Sequence, residues 1–363
     1  MSRAKIRLIL ILMLNFALPK HVELLEHTDF KQISDRLAVP SRILITTHTN
    51  PDGDAIGSSL ALYTYLKKKR HSVTVMIPDP FPGFLEWLPG SSEFLVYSEN
   101  PAACRQQIQN AEIIIACDYN NFGRLNEAGE KVLETRALKI LIDHHLNPAP
   151  HFDLKISIHQ TSSTSELIYD FIEAMGDKDL IDKGMAECLY VGIITDTGSF
   201  SYSCNYVKTY LTTAELYRLG IDGEHIHRLV YDTYSENRLR LLGLSVSDNL
   251  TVLPAYSTAY IILSAKDLER FDYRIGDTEG VVNYALSIKD INLAALFMER
   301  DNMVKVSFRS KGHFSVDKLA RDHFNGGGHR NASGANCTTS LEETVLRFRN
   351  LLPGYREELK SVN

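Results

Sequence analysis

The segment THTNPDGDAIGSS, residues 47 to 59, places Asp52 and Asp54 two positions apart behind His48. Such a cluster fits a calcium loop, a phosphate-binding loop or part of a transition-metal site. A calcium loop starting at Asp52 would need an oxygen ligand at its fifth position and Glu at its twelfth, where this chain has isoleucine and tyrosine. A phosphate loop would need wider glycine spacing and a following lysine. What remains is a His/Asp/Asp cluster that needs further ligands from elsewhere.

Further candidate ligands follow other apolar runs of the chain. Asp118 ends AEIIIACD, the DHH motif of residues 143 to 145 follows LKILI, and Asp196 lies within GIITDTGSFSYS. A single aspartate after a strand is more often a turn former or a helix cap, so none of these is persuasive alone. Together the candidate metal ligands are His48, Asp52, Asp54, Asp118, His144 and Asp196. Two divalent cations that share a bridging carboxylate would need about this set.

The two adjacent histidines of the DHH motif are expected to have different roles. Neighbouring side chains after a strand point in different directions, so His144 and His145 do not easily ligate the same ion. One suits the metal and the other suits substrate or proton transfer. Asp143 would then orient one of the two imidazoles.

A second candidate site is the glycine-rich segment NGGGHRNASGA, residues 325 to 335. Glycines let backbone N–H groups approach an anion closely, and His329 and Arg330 beside them suit a phosphate. A bare glycine run is otherwise only a flexible loop. Arg309, in SFRS at the end of a predicted strand, is either a second phosphate contact or a surface cation.

The elements that must position these residues are short apolar strands alternating with helices. RILITT, SVTVMIP, AEIIIACD and LKILIDHH suit strands buried on both faces, and SSLALYTYLKKKR and STSELIYDFIEAMG have helical periodicity. This alternation predicts an α/β fold with an N-terminal doubly wound, mainly parallel sheet. Ligands gather at the carboxyl ends of the strands in such sheets, which is where the candidate ligands fall.

The chain of 363 residues is longer than one hydrophobic core usually organises. From about residue 249 the pattern changes to paired strands and short helices, which predicts a smaller C-terminal α/β domain. The expected divisions are an N-terminal extension (1–30), a metal-binding domain (31–225), a helical connector (226–248) and a substrate-binding domain (249–363).

Composition limits the class of partner. The formal net charge of -6 argues against binding long nucleic acid but not a small anionic substrate. The five cysteines form no C-x-x-C pair, which indicates reduced thiols of a cytoplasmic protein. RAKIRLILILMLNFAL has the length of a signal peptide but no small-x-small cleavage site follows, so a signal or membrane tether is the alternative to a cytoplasmic location. No membrane partner is expected.

Five motifs in order resemble the DHH phosphoesterase superfamily, in its branch with a DHHA1 domain: HTNPDGDAIGS, CDYNN, DHH, TDTGSF and GGGHRNASG. The resemblance covers about residues 30 to 350. The two-domain layout is similar to that of nano-RNA phosphodiesterases that also dephosphorylate 3'-phosphoadenosine 5'-phosphate (pAp). A homodimer is compatible with this layout.

The resemblance also implies a distribution of ligands. It assigns His48, Asp52 and Asp118 to one metal ion. It assigns Asp54, Asp118, His144 and Asp196 to the other, with Asp118 as the bridge. It implies two divalent cations, usually Mn(II), with Mg(II) or Co(II) as substitutes. His145 would face the substrate, with Gly327, Gly328 and His329 lining the nucleotide side.

The chain departs from the family at two places. Relatives often have a basic residue after TGSF, where this chain has Ser201, and often have DTSN where this chain has DYNN. Both positions are expected near the substrate and not among the metal ligands. They therefore bear on the substrate more than on the chemistry.

The expected function is hydrolysis of short RNA oligonucleotides, of linear dinucleotides such as pApA and pGpG, and of pAp. Water activated by two cations would attack phosphorus in line, and His145 or an ordered water would protonate the leaving ribose oxygen. One alternative is an inorganic pyrophosphatase or exopolyphosphatase, because the same metal-binding half serves those reactions. Another is a nucleotide-binding regulator that has lost turnover.

Overall fold

The computed structural model describes Leu25 and residues 28–361. These residues form two compact units, one ending at Asp232 and the other beginning at Thr233. The apolar N-terminal run RAKIRLILILMLNFAL lies outside the described residues. Within the described part of the chain, no helix has both the length and the apolar character that a membrane crossing requires.

The first unit contains a six-stranded parallel sheet. Its strands are β1 (Arg42–Thr46), β2 (Ser72–Ile77), β3 (Leu95–Val96), β4 (Ile113–Cys117), β5 (Leu138–Asp143) and β6 (Leu154–Ser157). They lie in the order β3-β2-β1-β4-β5-β6, and every neighbouring pair is parallel. The predicted doubly wound sheet is confirmed. The chain order reverses between β1 and β4, which is where ligands bind in sheets of this kind.

Helices cover both faces of this sheet. They are α1 (Phe30–Leu37), α2 (Gly53–Lys68), α3 (Pro101–Asn110), α4 (Glu127–Glu134), α5 (Thr164–Ala174), α6 (Lys183–Asp196), α7 (Val207–Arg218) and α8 (Gly223–Tyr231). Within β4, Ile113 and Ile115 pack into a cluster with α2, α5 and α6, whereas Ile114 packs into a second cluster with α3 and α4. Because both faces are buried, the strands read as uninterrupted apolar runs.

Helix α2 packs closely against α6, so that the start of α2 lies beside the end of α6. At Gly57 of α2, a Cβ atom would lie 2.3 Å from the backbone carbonyl oxygen of Cys188 in α6. Glycine is therefore required for this approach. The close packing brings Asp52 and Asp54, at the start of α2, towards Asp196, the last residue of α6.

The second unit contains a smaller mixed sheet, which confirms the predicted C-terminal α/β domain. Its strands are β7 (Leu250–Leu253), β8 (Thr258–Leu263), β9 (Leu293–Arg300), β10 (Met303–Ser310), β11 (Gly327–Gly328) and β12 (Ala332–Cys337). The order is β11-β12-β10-β9-β8-β7, with β8 and β9 parallel and the other pairs antiparallel. Its helices are α9 (Glu236–Ser247), α10 (Ala265–Arg270), α11 (Val281–Leu286), α12 (Val316–Phe324) and α13 (Leu341–Lys360).

The glycine-rich segment of the second unit is not the loop that its composition predicts. Strands β11 and β12 pair in antiparallel register, and the His329 N–H donates to the carbonyl of Ala332 across the turn at 2.7 Å. A Cβ atom at Gly326 would lie 2.1 Å from the carbonyl oxygen of Gly334. Glycine therefore serves close strand packing here, and flexibility is not its role.

Candidate metal centre

Strand ends of the first sheet, together with the end of α6, bring the predicted metal ligands of the first unit together. The ligands come from the segment after β1, from the residue after β4, from the DHH motif at the end of β5 and from the last turn of α6. They are His48, Asp52, Asp54, Asp118, His144 and Asp196. Side chains far apart in sequence thus form one acidic cluster, and all of its members except Asp196 belong to groups that could hold a metal ion.

One part of the cluster surrounds His48. Its Nε2 atom lies 3.4 Å from Oδ2 of Asp118 and 3.9 Å from Oδ2 of Asp52. Its Nδ1 atom lies 2.8 Å from the carbonyl oxygen of Thr49, which only accepts, so Nδ1 carries the proton. Burial, together with the charge of Arg124, lowers the pKa of His48 to about 4. A neutral imidazole therefore turns its lone pair towards two carboxylates, an arrangement that a cation would stabilise.

Asp52 has two roles in this arrangement. Its Oδ1 atom accepts the N–H groups of Asp54 and Ala55, each at 3.0 Å, and so caps the start of α2. Its Oδ2 atom faces His48. From the sequence, an aspartate in this position is either a helix cap or a metal ligand. The Asp52 carboxylate can serve as both, because each role uses a different oxygen.

The other part of the cluster surrounds His144. Its Nε2 atom lies 3.4 Å from Oδ2 of Asp196, 3.5 Å from Oδ1 of Asp118 and 3.8 Å from Oδ2 of Asp54. Asp118 consequently turns one oxygen towards His48 and the other towards His144. This is the arrangement expected of a carboxylate shared by two cation sites.

Burial makes the carboxyl groups of this cluster costly to ionise together. Asp54 and Asp118 are almost completely buried. Burial, and then the charge of Asp118, raises the pKa of Asp54 well above its usual range. Burial, and then the charges of Asp52, Asp143 and Asp196, raises the pKa of Asp118 in the same way. Cation binding at these carboxylates would relieve the repulsion and release protons.

The start of α5 supports the cluster with hydrogen-bond donors. The N–H of Thr164 donates to Oδ2 of Asp54 at 2.7 Å, and the N–H of Ser165 donates to Oδ1 at 2.8 Å. The Thr164 hydroxyl also donates to Oδ1 of Asp118 at 2.9 Å. The sequence predicts this helix but not its contact with the ligands. The S-x-x-E pattern from Ser163 to Glu166 is the signal that marks its buried start.

The two histidines of the DHH motif both lie near Oδ1 of Asp118, the Nδ1 atom of His145 at 3.7 Å, and otherwise have different partners. Their rings lie nearly perpendicular, at 79°. The Nδ1 atom of His145 lies 2.7 Å from Oδ1 of Asp143, and its Nε2 atom lies 3.0 Å from Nη1 of Arg124. Because arginine only donates, Nε2 accepts and the Nδ1–H donates to Asp143. Arg124 was not identified from the sequence, although it is the basic residue that follows the CDYNN motif.

The residues predicted to bind substrate all belong to the second unit. They are Arg309, Gly327, Gly328, His329 and Arg330. The Arg309 Nη1 group donates to the carbonyl of the preceding residue at 3.0 Å, and its buried Nε has no hydrogen-bond partner among the described residues. The Gly328 N–H donates to Oδ1 of Asp317 at 2.9 Å, so it is already engaged within the unit. The exposed Arg330 follows in the turn.

Two known domain families match this chain. The N-terminal domain of the DHH family matches residues 42–193, which contain all of β1 to β6 and most of α6. The DHHA1 domain matches residues 257–352, within the second unit. The matches therefore cover the first sheet and strands β8 to β12 of the second.

The chain is also similar to whole proteins of this kind. A solved Bacteroides fragilis structure, described as an exopolyphosphatase-related protein, is 41% identical, with a TM-score of 0.85, and the match covers 92% of this chain and 97% of that one. The probable bifunctional oligoribonuclease and PAP phosphatase NrnA of Streptococcus mutans is 29% identical over 90% of this chain and 99% of its own length. The Bacillus subtilis NrnA of the same name is 29% identical over 81% of this chain and 88% of its own length. With both domains matched in order, the chain belongs to the DHH family, with a DHHA1 domain in its second unit.

Proposed function

We propose that this protein is a metal-dependent phosphoesterase that hydrolyses short oligoribonucleotides and linear dinucleotides to mononucleotides and removes the 3'-phosphate of pAp. The names of the Streptococcus mutans and Bacillus subtilis relatives contain both activities, and those relatives match this chain over most of its length. The observation that carries the proposal is Asp118, whose two oxygens face two separate histidine and aspartate sets. This orientation of the two Asp118 oxygens supports the binding of two cations at one phosphoester.

The ligands divide naturally into two sets around Asp118. His48, Asp52 and Asp118 would hold one cation. Asp54, Asp118, His144 and Asp196 would hold the other. Carboxylates with one imidazole in each set suit Mn(II), with Mg(II) or Co(II) as substitutes. Divalent cations bound in such a site neutralise charge on phosphoryl oxygens and make water a nucleophile near neutral pH.

The residues beside the cluster would bind and orient the phosphate. The guanidinium of Arg124 is a cation at the edge of the ligand set and suits a phosphoryl oxygen. Asp143 fixes the orientation of the His145 ring. In this arrangement the Nε2 atom of His145 accepts from Arg124 and carries no proton, so it could protonate a leaving oxygen only after Arg124 moves to another acceptor and Nε2 takes up a proton from water. A substrate phosphate is an acceptor of that kind.

The second unit would contribute nucleotide recognition. Its candidate groups are Arg309, Gly327, Gly328, His329 and Arg330. His329 and the exposed Arg330 follow one another in the tight turn between β11 and β12, which fixes the backbone from which their side chains extend. Two basic side chains presented by a rigid turn suit a terminal phosphate.

A second candidate function is hydrolysis of inorganic pyrophosphate or polyphosphate. It is favoured by the description of the Bacteroides fragilis structure as exopolyphosphatase-related. A chain of inorganic phosphates would require several cations in the substrate-binding unit, whereas the glycine-rich segment offers His329 and Arg330. The nucleotide substrates are therefore preferred.

One assay panel tests this proposal. Purified full-length protein, freed of metal with a chelator and then supplied with Mn(II), is incubated separately with pApA, pAp, pyrophosphate and polyphosphate. We expect pApA and water to give two AMP, and pAp and water to give AMP and phosphate, with the Asp118→Asn variant inactive in each case. Preferential release of phosphate from pyrophosphate or polyphosphate would overturn the choice of substrate. Nucleotide binding without hydrolysis in saturating Mn(II) would instead identify a regulator.

A further inference from the structure

The first turn of α5 and the loop before it form a buried polar segment, residues 162 to 166. All of these residues are at most 1% exposed, although every one of them is polar. Buried polar groups require hydrogen-bond partners, so the segment depends on a defined set of contacts. Three of its donors, the N–H and hydroxyl of Thr164 and the N–H of Ser165, bind Asp54 and Asp118.

Glu166 makes an unusual contact within this segment. In the common capping box, the glutamate at the third helical position accepts the N–H of the capping residue, here Ser163. The Ser163 hydroxyl does accept the Glu166 N–H, at 3.0 Å. The Oε2 atom of Glu166 reaches one residue further back, however, and accepts the N–H of Ser162 at 3.1 Å as well as the Ser162 hydroxyl. Glu166 therefore holds the loop that enters the helix.

A third donor to Glu166 comes from another helix. The hydroxyl of Thr209, in α7, donates to the same Oε2 atom at 2.8 Å. The neighbouring residue Lys208 forms a buried ion pair with Asp170 of α5, which ties the same two helices a second time. One carboxylate oxygen is thus the point where the loop, α5 and α7 meet. A buried carboxylate with three donors has little freedom to move.

We propose that Glu166, together with Thr209, is a positioning residue of the metal centre. This inference rests on the proposed function. By fixing Ser162 and the first turn of α5, Glu166 determines where the Thr164 and Ser165 N–H groups lie. Those N–H groups bind both oxygens of Asp54 and so set the orientation in which Asp54 meets a cation. Glu166 touches neither metal nor substrate and acts through Asp54.

A purely structural role for Glu166 makes a different prediction. If Glu166 served only to cap α5, its replacement would lower the unfolding temperature and leave the dissociation constant for Mn(II) unchanged. If it positions Asp54, its replacement raises that dissociation constant. Hydrogen-bond partners that orient a metal ligand without touching the metal typically change metal affinity by about 10- to 100-fold when they are removed.

The test is Mn(II) binding to the metal-free full-length protein, followed by electron paramagnetic resonance of the free ion. The variants are Glu166→Gln, which preserves the shape of the side chain, and Thr209→Val, which removes only the hydroxyl donor. Thr213→Val is the matched control, because the Thr213 hydroxyl donates to the Thr209 carbonyl within α7, at 2.7 Å. We expect the dissociation constant to rise about tenfold in Glu166→Gln. A smaller rise is expected in Thr209→Val and none in Thr213→Val.

Three results would count against these ideas, and they are distinguishable. Wild-type dissociation constants in folded Glu166→Gln and Thr209→Val would overturn the positioning role alone. An equal rise in Thr209→Val and Thr213→Val would also overturn it, because the effect would then come from general loosening of α7. Wild-type protein that binds no Mn(II) would instead overturn the metal centre and the proposed function.

Discussion

Replacing Asp118 by Asn should stabilise the metal-free protein while it abolishes metal binding and turnover. Asp118 is buried beside other carboxylates, which together with burial raise its pKa well above the usual range. Asparagine removes the charge and preserves the contacts. Its Oδ1 atom can still accept the Thr164 hydroxyl, and its Nδ2 group can donate to Nε2 of His48, which lies 3.4 Å from the oxygen replaced.

Asparagine is also the replacement that the backbone tolerates. Asp118 has a φ of 65°, in the left-handed region that asparagine and aspartate adopt more readily than other residues with a side chain. An alanine variant would add backbone strain to the loss of the ligand. Any change in stability of Asp118→Asn therefore reports on charge more than on conformation.

The change in stability on replacing Asp118 by Asn depends on whether the proteins are compared without metal or with Mn(II) bound. Substitutions that improve charge interactions commonly stabilise a protein by about 0.5 to 2 kcal/mol. For a domain of this size, 1 kcal/mol shifts the unfolding temperature by about 2 to 4 °C. Each cation supplied at a hundred times its dissociation constant should stabilise the wild-type protein by about 2.7 kcal/mol, a gain that the variant loses. The order of stability should therefore invert when metal is added.

The assay is thermal unfolding followed by circular dichroism, first with a chelator and then with excess Mn(II). Asp222→Asn is the matched control, because Asp222 caps α8 through the N–H of His225 at 2.9 Å and asparagine caps helices equally well. The control should unfold as the wild type does in both conditions. A metal-free Asp118→Asn protein less stable than the wild type, or one that is stabilised by Mn(II) to the wild-type extent, would refute the reasoning.

Three further predictions follow from the same structure. Because the pKa values of Asp54 and Asp118 are raised, their contribution to the stability of the metal-free protein is complete below about pH 4 and is lost as the pH rises, whereas Mn(II) affinity increases with pH. Calorimetry of Mn(II) binding in buffers of different ionisation enthalpy should detect released protons. An absence of proton release would contradict this prediction. Arg124→Ala should lower kcat/KM for pAp roughly 10- to 100-fold with Mn(II) affinity retained, and unchanged kinetics would exclude phosphate binding by Arg124. Gly57→Ala should lower the free energy of unfolding by about 2 kcal/mol or more, whereas the control Gly243→Ala, in open space on α9, should raise it by about 0.5 to 1 kcal/mol. If denaturant unfolding showed equal effects of the two substitutions, the close packing of α2 on α6 would be contradicted.

The sheet of the first unit was predictable because its central strands are buried on both faces. Continuous apolar runs identify β1, β2, β4 and β5, and their alternation with helices gives a parallel arrangement. The edge strands β3 and β6 were not predicted from such runs. They are short, with two and four residues. Local composition indicates a strand poorly when few of its residues are buried.

That the candidate ligands lie close together was predictable for a topological reason. Acidic and histidine side chains that follow parallel strands meet at one edge of the sheet, so their positions in the sequence suffice to group them, whereas Asp196 ends helix α6 and is not covered by this rule. Arg124 and the start of α5 follow no such rule. Arg124 reaches His145 from a short 3-10 helix, Phe122–Leu125, and α5 reaches Asp54 through backbone N–H groups, which leave little trace in side-chain identity. The engagement of Gly328 by Asp317 depends on register and is equally hidden.

The central claim is that Asp118 divides one buried cluster into two cation sites. Anomalous X-ray diffraction from crystals of the protein grown with Mn(II) measures this directly. We expect two anomalous peaks, one against His48 and Asp52, the other against Asp54, His144 and Asp196, with one oxygen of Asp118 beside each. A single peak, or peaks that do not contact Asp118, would contradict it.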